Sequence, residues 1–415
     1  MFLYLFLFLF LVITGFAEPL RLDVRATSAI MINAETGVVL YEKNSHEMGY
    51  PASTTKIATT IYALERGNVD ENALIDVKAE ALKTTSEQAK KKAQYKLPAY
   101  YLEDDGTMLG LKKGEQIRFL DLLYGSMLLS GNDASNVIAQ YIGGTIPDFM
   151  KDLNTYLQDF GCSDTHFANP HGLTHPDHYT TARDMALIAQ HALKNPTFRK
   201  IASTIKYICP KNSTRGSITL LNTNRLLRKG PYFYPKAIGI KTGYTAAAQH
   251  NLVAAAEHEG RILIAVLMHS KERNDLWQDA TKLFQAAFTQ PLVERVLLPA
   301  GLQPYQLTIP GARRTLKTVL TEPLVWQFYP AEEEPIHAKL VWENLSLPIP
   351  KGHLVALVQV TTASGRLVAS TPLLAAHEVK LSLPITVLNG IKSHPWWTGG
   401  ILLLFLCLIL YKRRR

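Results

Sequence analysis

The sequence predicts an α/β domain, with helices against an antiparallel sheet, followed by a small all-β sandwich and a C-terminal transmembrane helix. Three observations predict it. Between Ser28 and about Phe288, β-branched runs bracket a block of segments whose apolar residues recur near every 3.6 positions. After Pro291, short apolar segments alternate with Pro, Gly and acidic turns, and no amphipathic helix is evident. At the far end an uncharged apolar stretch is closed by four consecutive cations.

The elements follow in order. Residues 29–33 and 38–42 flank the turn-rich tetrad Ala34-Glu35-Thr36-Gly37 and read as a hairpin. Residues 53–64, 120–130, 134–142, 146–160 and 182–193 carry helix formers at helical spacing. Residues 237–240, 251–256 and 261–268 read as strands, and 275–288 as a closing helix. In the β module the apolar segments are 306–309, 317–320, 337–342, 354–362 and 367–373. Residues 84–108 form a long segment with the basic run Ala89 to Lys96, read as a solvated insertion rather than a lid.

Composition narrows the class. With 415 residues, 47% hydrophobic and 19% charged, the chain is neither collagen-like nor disordered. Its three cysteines, Cys162, Cys209 and Cys407, supply neither a disulfide framework nor a four-cysteine zinc site; whether Cys162 and Cys209 pair is open. Of the net charge of +9, four units sit on Lys412, Arg413, Arg414 and Arg415, so the basic excess is a topological signal and not a nucleic-acid footprint. Residues 1–17 are apolar through Ile13 and end in Gly15-Phe16-Ala17, which suits cleavage of an export signal before Glu18. Residues 396–411, with paired Trp at one boundary and Tyr at the other, would span ~24 Å as a helix. The expected organisation is a signal peptide (1–17), a catalytic domain (18–290), a β-sandwich (291–385), a linker (386–395), a transmembrane anchor (396–411) and a cytoplasmic basic tail (412–415). That topology puts the body of the protein on the extracytoplasmic side of the membrane.

Three short motifs carry the chemistry: Ser53-Thr54-Thr55-Lys56, Ser130-Gly131-Asn132 and Lys241-Thr242-Gly243. Ser53 opens a helical run, where unpaired N–H groups favour developing negative charge. Lys56 lies one turn on, on the same face, and a lysine buried beside other cations loses its proton readily and can take one from serine. Ser130 and Asn132 fall between two helical segments, where a loop can present a hydroxyl for proton relay and an amide for substrate. Lys241 and Thr242 end a strand and can meet a carboxylate, and Gly243 leaves room for a substrate backbone. Ser-x-x-Lys by itself is weak: Ser203-Thr204-Ile205-Lys206 repeats the spacing in a strand-like stretch. Three motifs in this order, each in its expected local structure, are specific.

On these motifs the chain resembles the low-molecular-weight penicillin-binding proteins that act as serine D-alanyl-D-alanine carboxypeptidases. Further support comes from Asn33-Ala34-Glu35-Thr36-Gly37, His171-Gly172-Leu173, Thr180-Thr181-Ala182-Arg183-Asp184-Met185-Ala186 and Asn251-Leu252-Val253-Ala254. The resemblance implies a penicillin-binding/β-lactamase-like transpeptidase domain. It makes Ser53 the acylated nucleophile, Lys56 its general base and Ser130 the proton relay to the leaving D-alanine. Asn132 would hold the substrate peptide, Lys241 and Thr242 the terminal carboxylate, with Arg273 as a further partner. The backbone N–H groups of Ser53 and Tyr244 would hold the oxyanion. The implied substrate is a peptidoglycan stem peptide ending in D-Ala-D-Ala, with β-lactams as inhibitors, and no cofactor or metal is required. Tyr244 stands where relatives often carry histidine, which bears on substrate preference.

Three other readings compete. Transpeptidation or endopeptidase action shares every step up to the acyl-enzyme. A serine β-lactamase needs a glutamate for deacylation, and residues 133–256 contain none. A metallopeptidase built on His166, His171, His175 and His178 is disfavoured because Pro170 and Pro176 break the helix that such ligands need.

Overall fold

The structure is a computed structural model that describes residues 11–13, 18–67, 70–212 and 214–382. It divides into two compact units, one formed by Ala17–Pro291 with Pro330–Glu332, the other by the rest of the described chain. The expected linker, membrane anchor and basic tail lie outside the described residues. So does the expected signal segment except Leu11–Ile13, a short strand antiparallel to Ile336–Trp342. Among the described residues no helix is long and apolar enough to cross a membrane.

The first unit is built on a five-stranded antiparallel sheet in the order Ala237–Thr245, Gln249–His258, Arg261–Ser270, Ser28–Asn33, Val39–Lys43. Side chains alternate across a strand, and here both faces are apolar. Ile30, Ile32, Val253, Ala255, Ile264 and Val266 face a helical layer containing Lys56–Arg66, Asn132–Gly143, Ile146–Asp159 and Ala182–Leu193. Ala29, Met31, Leu252, Ala254, Leu263, Ala265 and Leu267 face Arg273–Phe288, which contributes Leu276, Trp277, Leu283 and Phe284. A sheet covered on both faces is held in register, because a slip of one residue would exchange the two sets.

Local chemistry sets the helix starts. Thr145 and Thr181 each accept a hydrogen bond from the N–H three residues on, at Asp148 and Asp184. Pro196–Ser203 is a helix that apolar periodicity does not reveal; Asn195 caps it and Pro196 stands at its first turn. The second Ser-x-x-Lys is therefore split between that helix and the strand Lys206–Cys209, rather than lying in one strand-like stretch.

The second unit contains a six-stranded antiparallel sheet and a two-stranded one, Val293–Leu298 with Leu324–Phe328, sharing a core of Leu316, Trp326, Phe328, Val355, Val358 and Leu373. It is β-rich, without an α-helix among the described residues.

The 84–108 segment departs from expectation. It is not simply solvated: Thr84–Thr85 pairs in parallel with Leu102–Glu103, and Glu87–Lys92 is helical. Lys90, inside the basic run, is buried and its Nζ lies 3.0 Å from Glu103 Oε1. A buried cation demands such a partner. The backbone carbonyl of Tyr100 accepts from Asn136 Nδ2 at 2.9 Å, which fastens the segment to the helix that begins at Asn132.

Candidate active site

Ser53 lies in a tight 3-10 turn, Ala52–Thr55, that runs directly into Lys56–Arg66. Ala52 has φ +49°, a left-handed conformation that costs a residue with a Cβ on the order of 1 kcal/mol. Its neighbours hold it there. Thr55 Oγ1 donates to Ala52 O at 2.9 Å, and Gly172, with φ +93°, packs so closely that a Cβ would run into Ala52 O. Gly243 approaches from the sheet; a Cβ there would lie 2.8 Å from Pro51 O. Behind the turn His178 accepts from Ala168 N at Nδ1, which leaves Nε2 to donate to Thr55 Oγ1 at 2.9 Å. Burial, then the charges of His166, His175 and Lys56, push the His178 pKa down to about 3, so the ring is a neutral donor throughout the working range.

Lys56 is fully buried, and its Nζ lies 2.9 Å from Ser53 Oγ, 2.8 Å from Asn132 Oδ1 and 2.7 Å from His171 O. An ammonium would donate to all three. A neutral amine would donate twice to the two carbonyls and keep its lone pair for the serine O–H. Burial above all, with the charge of Lys241, pushes Lys56 well below the ordinary lysine value, while Asp133 opposes the shift. The shift is toward the second state, the one that can act as a base.

The Ser130-Gly131-Asn132 motif follows a π-helical turn, Gly125–Leu129, the kind of helix defect often found at functional sites. Ser130 takes the left-handed conformation, φ 72°, and lines the same cleft as Ser53. Asn132 is buried, accepting from Lys56 and donating its backbone N–H to Thr107 O at 2.8 Å. Next to it, the carboxylate of Asp133 accepts from the N–H groups of Leu109, Gly110, Leu111 and Ala134 at 2.7 to 3.0 Å. One buried carboxylate thus ties residues 107–111, which reach the cleft rim at Thr107, to the start of the Asn132 helix.

Lys241, Thr242 and Gly243 lie inside the strand Ala237–Thr245 rather than at its end. Strand alternation then separates their roles. Lys241 is buried, whereas Thr242 and Tyr244 line the cleft, with Gly243 between them. Burial lowers the Lys241 pKa to about 7. Tyr244, 60% exposed, stacks on His250 with ring centroids 4.5 Å apart. The cleft, about 410 Å³, is lined by Ser53, Thr107, Ser130, Thr242, Tyr244 and Arg273 among others. Of the residues given catalytic or substrate-binding roles from the sequence, Ser53, Ser130, Thr242, Gly243, Tyr244 and Arg273 line this cleft, and Lys56, Asn132 and Lys241 are buried. Arg273 opens the helix that covers the other face of the sheet.

Several contributors escape motif reading. The carbonyl of His171 and the side chains of Asp133 and His178 act through hydrogen bonds to distant segments. The four histidines are used separately: His166 Nδ1 lies by Asp177 O, His175 Nδ1 accepts from Asp177 N, and His171 Nδ1 accepts from Leu173 N. Among the described residues no cluster of three or more histidine, cysteine or carboxylate side chains could hold a metal. Cys162 and Cys209 are buried free thiols, each with its pKa raised mainly by burial.

Comparison with known proteins agrees with this geometry. Residues 14–272 match the peptidase S11 family model, D-alanyl-D-alanine carboxypeptidase. The chain is 32% identical over 376 residues to D-alanyl-D-alanine carboxypeptidase DacF of Bacillus subtilis, covering 88% of each chain. It is 27% identical to DacA of Haemophilus influenzae, covering 86% of each. Among solved structures it resembles penicillin binding protein 5 of Haemophilus influenzae, with TM-score 0.59 and 25% identity over 87% of this chain and 99% of that one. It also resembles a Streptomyces K15 DD-transpeptidase, with TM-score 0.56 and 29% identity over 65% of this chain and 99% of that one. The chain belongs to the peptidase S11 family of D-alanyl-D-alanine carboxypeptidases.

The Asp133 carboxylate supplies a stability test. Asp133→Asn removes the charge and puts an amide donor where only acceptors fit, leaving at least one buried N–H without a partner. The expected loss is about 3 kcal/mol, measured as a lowered urea midpoint at unchanged slope.

Proposed function

We propose that this D-alanyl-D-alanine carboxypeptidase works through an acyl-enzyme on Ser53. The observation that carries the reading is the contact of Ser53 Oγ with the buried Lys56 Nζ at 2.9 Å. With its two hydrogens engaged by Asn132 and His171, the amine has one lone pair, directed at the serine hydroxyl. Lys56 takes the Ser53 proton as Oγ attacks the carbonyl carbon between the two terminal D-alanines of a peptidoglycan stem peptide. The oxyanion is received by the backbone N–H groups of Ser53 and Tyr244. Collapse of the tetrahedral centre breaks the peptide bond, and the proton passes through Ser130 to the leaving nitrogen. Water then attacks the ester, with Lys56 again as base, and frees the shortened peptide.

Recognition follows from the same cleft. Thr242 and Arg273 line it and, with the Lys241 charge behind them, suit the terminal carboxylate. Asn132, fixed by Lys56, presents its amide to the substrate peptide. Penicillin would acylate Ser53 by the same attack and be released slowly, since no glutamate lies between residues 133 and 256 to activate water. The transpeptidase named among the similar structures favours one alternative, that an amine replaces water as acceptor. Localisation is also a proposal: residues 1–17 would direct export, and 396–411 would hold the enzyme at the extracytoplasmic face of a bacterial membrane.

Mass spectrometry after exposure to a β-lactam is expected to show one adduct on the wild-type protein and none on Ser53→Ala; equal labelling of both would overturn the assignment. Lys56→Ala should remain folded and acylate at least about 100-fold more slowly, the scale of a lost general base. Incubation with a D-Ala-D-Ala pentapeptide, with and without an amine acceptor, should release D-alanine, and the product distribution separates hydrolysis from transpeptidation.

The two lysines give opposite pH limbs. Activity should rise with pH as Lys56 loses its proton, below the ordinary lysine range, and fall as Lys241 loses the charge that attracts the carboxylate, from about pH 7 in the free enzyme. Lys241→Arg, which keeps the cation, should move the falling limb of kcat/KM upward; an unmoved limb would assign it elsewhere.

A further inference from the structure

Near Arg273 at the cleft wall lie Arg225 and Arg228, two more arginines than one terminal carboxylate requires. Thr223 Oγ1 and Thr242 Oγ1 lie 2.7 Å apart on that wall, beside Arg273. Thr223 leads into the turn Arg225–Leu227, and the Arg225 guanidinium sits 6.0 Å from the centre of the Tyr232 ring. Tyr232 in turn lies 6.4 Å from Trp277, which lines the cleft one helical turn after Arg273. Trp277 is buried, and its indole N–H has no hydrogen-bond partner among the described residues.

Arg225, Arg228 and Arg273 are all exposed, and none forms an ion pair among the described residues. The nearest acids do not offset them fully: Glu272 is a single exposed carboxylate, and Asp275 is held by Arg25 at 2.5 Å. Arg273 is held below its ordinary pKa by burial first and then by the charges of Arg225 and Arg228, so the three guanidiniums share one neighbourhood.

Resting on the reading of the Ser53 cleft as a carboxypeptidase site, we propose that Arg225 and Arg228 form an outer anion subsite for leaving groups that carry a second carboxylate. Thr242 and Arg273 take the carboxylate next to the scissile bond, and the outer arginines take the second one. The bond cleaved and the acyl-enzyme stay the same; only the amine component differs. An acidic amine of this kind is what a cross-linked peptide would release, or what an acceptor peptide would present.

The full chain should be assayed on three N-acylated peptides ending in D-Ala-D-Ala, D-Ala-D-Glu and D-Ala-D-Gln. Glutamine matches the shape of glutamate without its charge. The ratio of kcat/KM for D-Glu over D-Gln is expected to exceed one, and to fall about fivefold in Arg225→Gln/Arg228→Gln, the scale of two exposed ion pairs. Raising the salt concentration should lower the wild-type ratio in the same direction. A ratio that stays within twofold in the double variant, or equal losses for D-Glu and D-Gln, would overturn the outer subsite while D-Ala-D-Ala cleavage leaves the carboxypeptidase reading intact. Failure of the wild type to release D-alanine from D-Ala-D-Ala would overturn that reading and this proposal with it.

Discussion

The organisation of the catalytic unit depends on one constraint: a lysine with no exposure to water has to be accommodated beside a serine. Removing an ammonium from solvent is among the most expensive things a fold can do, and the low-cost response is to shed the proton. Lys56 is placed so that shedding it is useful. Asn132 Oδ1 and His171 O take the two hydrogens of the amine, and Ser53 Oγ faces what remains. These partners come from segments 76 and 115 residues away. The Lys56 amine is thus set by the convergence of three parts of the chain around a group that water cannot reach.

A second layer keeps the geometry from relaxing. Ala52 would not choose a left-handed backbone, and Thr55, His178, Gly172 and Gly243 enclose the turn from different sides. Asp133 does the corresponding work opposite, binding four backbone N–H groups so that residues 107–111 and the Asn132 helix move as one piece. Lys241 acts here through its charge: it is buried in its strand, and its field adds to the lowering of the Lys56 pKa.

Much of the site was legible because its residues sit in short local patterns. Ser53 and Lys56 share a helix turn, Ser130 and Asn132 share a loop, and the Lys241 strand has an apolar pattern of its own. The 84–108 segment shows where legibility stopped. Its lysines and polar residues suggested a solvated insertion, yet Lys90 is buried against Glu103 and Tyr100 O accepts from Asn136. Composition reports average polarity; it cannot report that one lysine among several has found a partner. The helix Pro196–Ser203 was missed for a related reason, since it is only two turns long and its cap, not its periodicity, defines it.

The sequence by itself determined the α/β class of the first unit, the change to β structure after Pro291 and the three short motifs that meet at the cleft, because periodicity and motif spacing are local properties of a chain. Tertiary structure alone decided that Lys56 is buried and its pKa lowered, that Lys241 is buried while Thr242 lines the cleft, that Asp133 and His178 brace the site, and that Arg225 comes near Arg273. Each of those depends on burial or on a hydrogen bond between segments far apart in sequence, and neither quantity exists until the chain has folded.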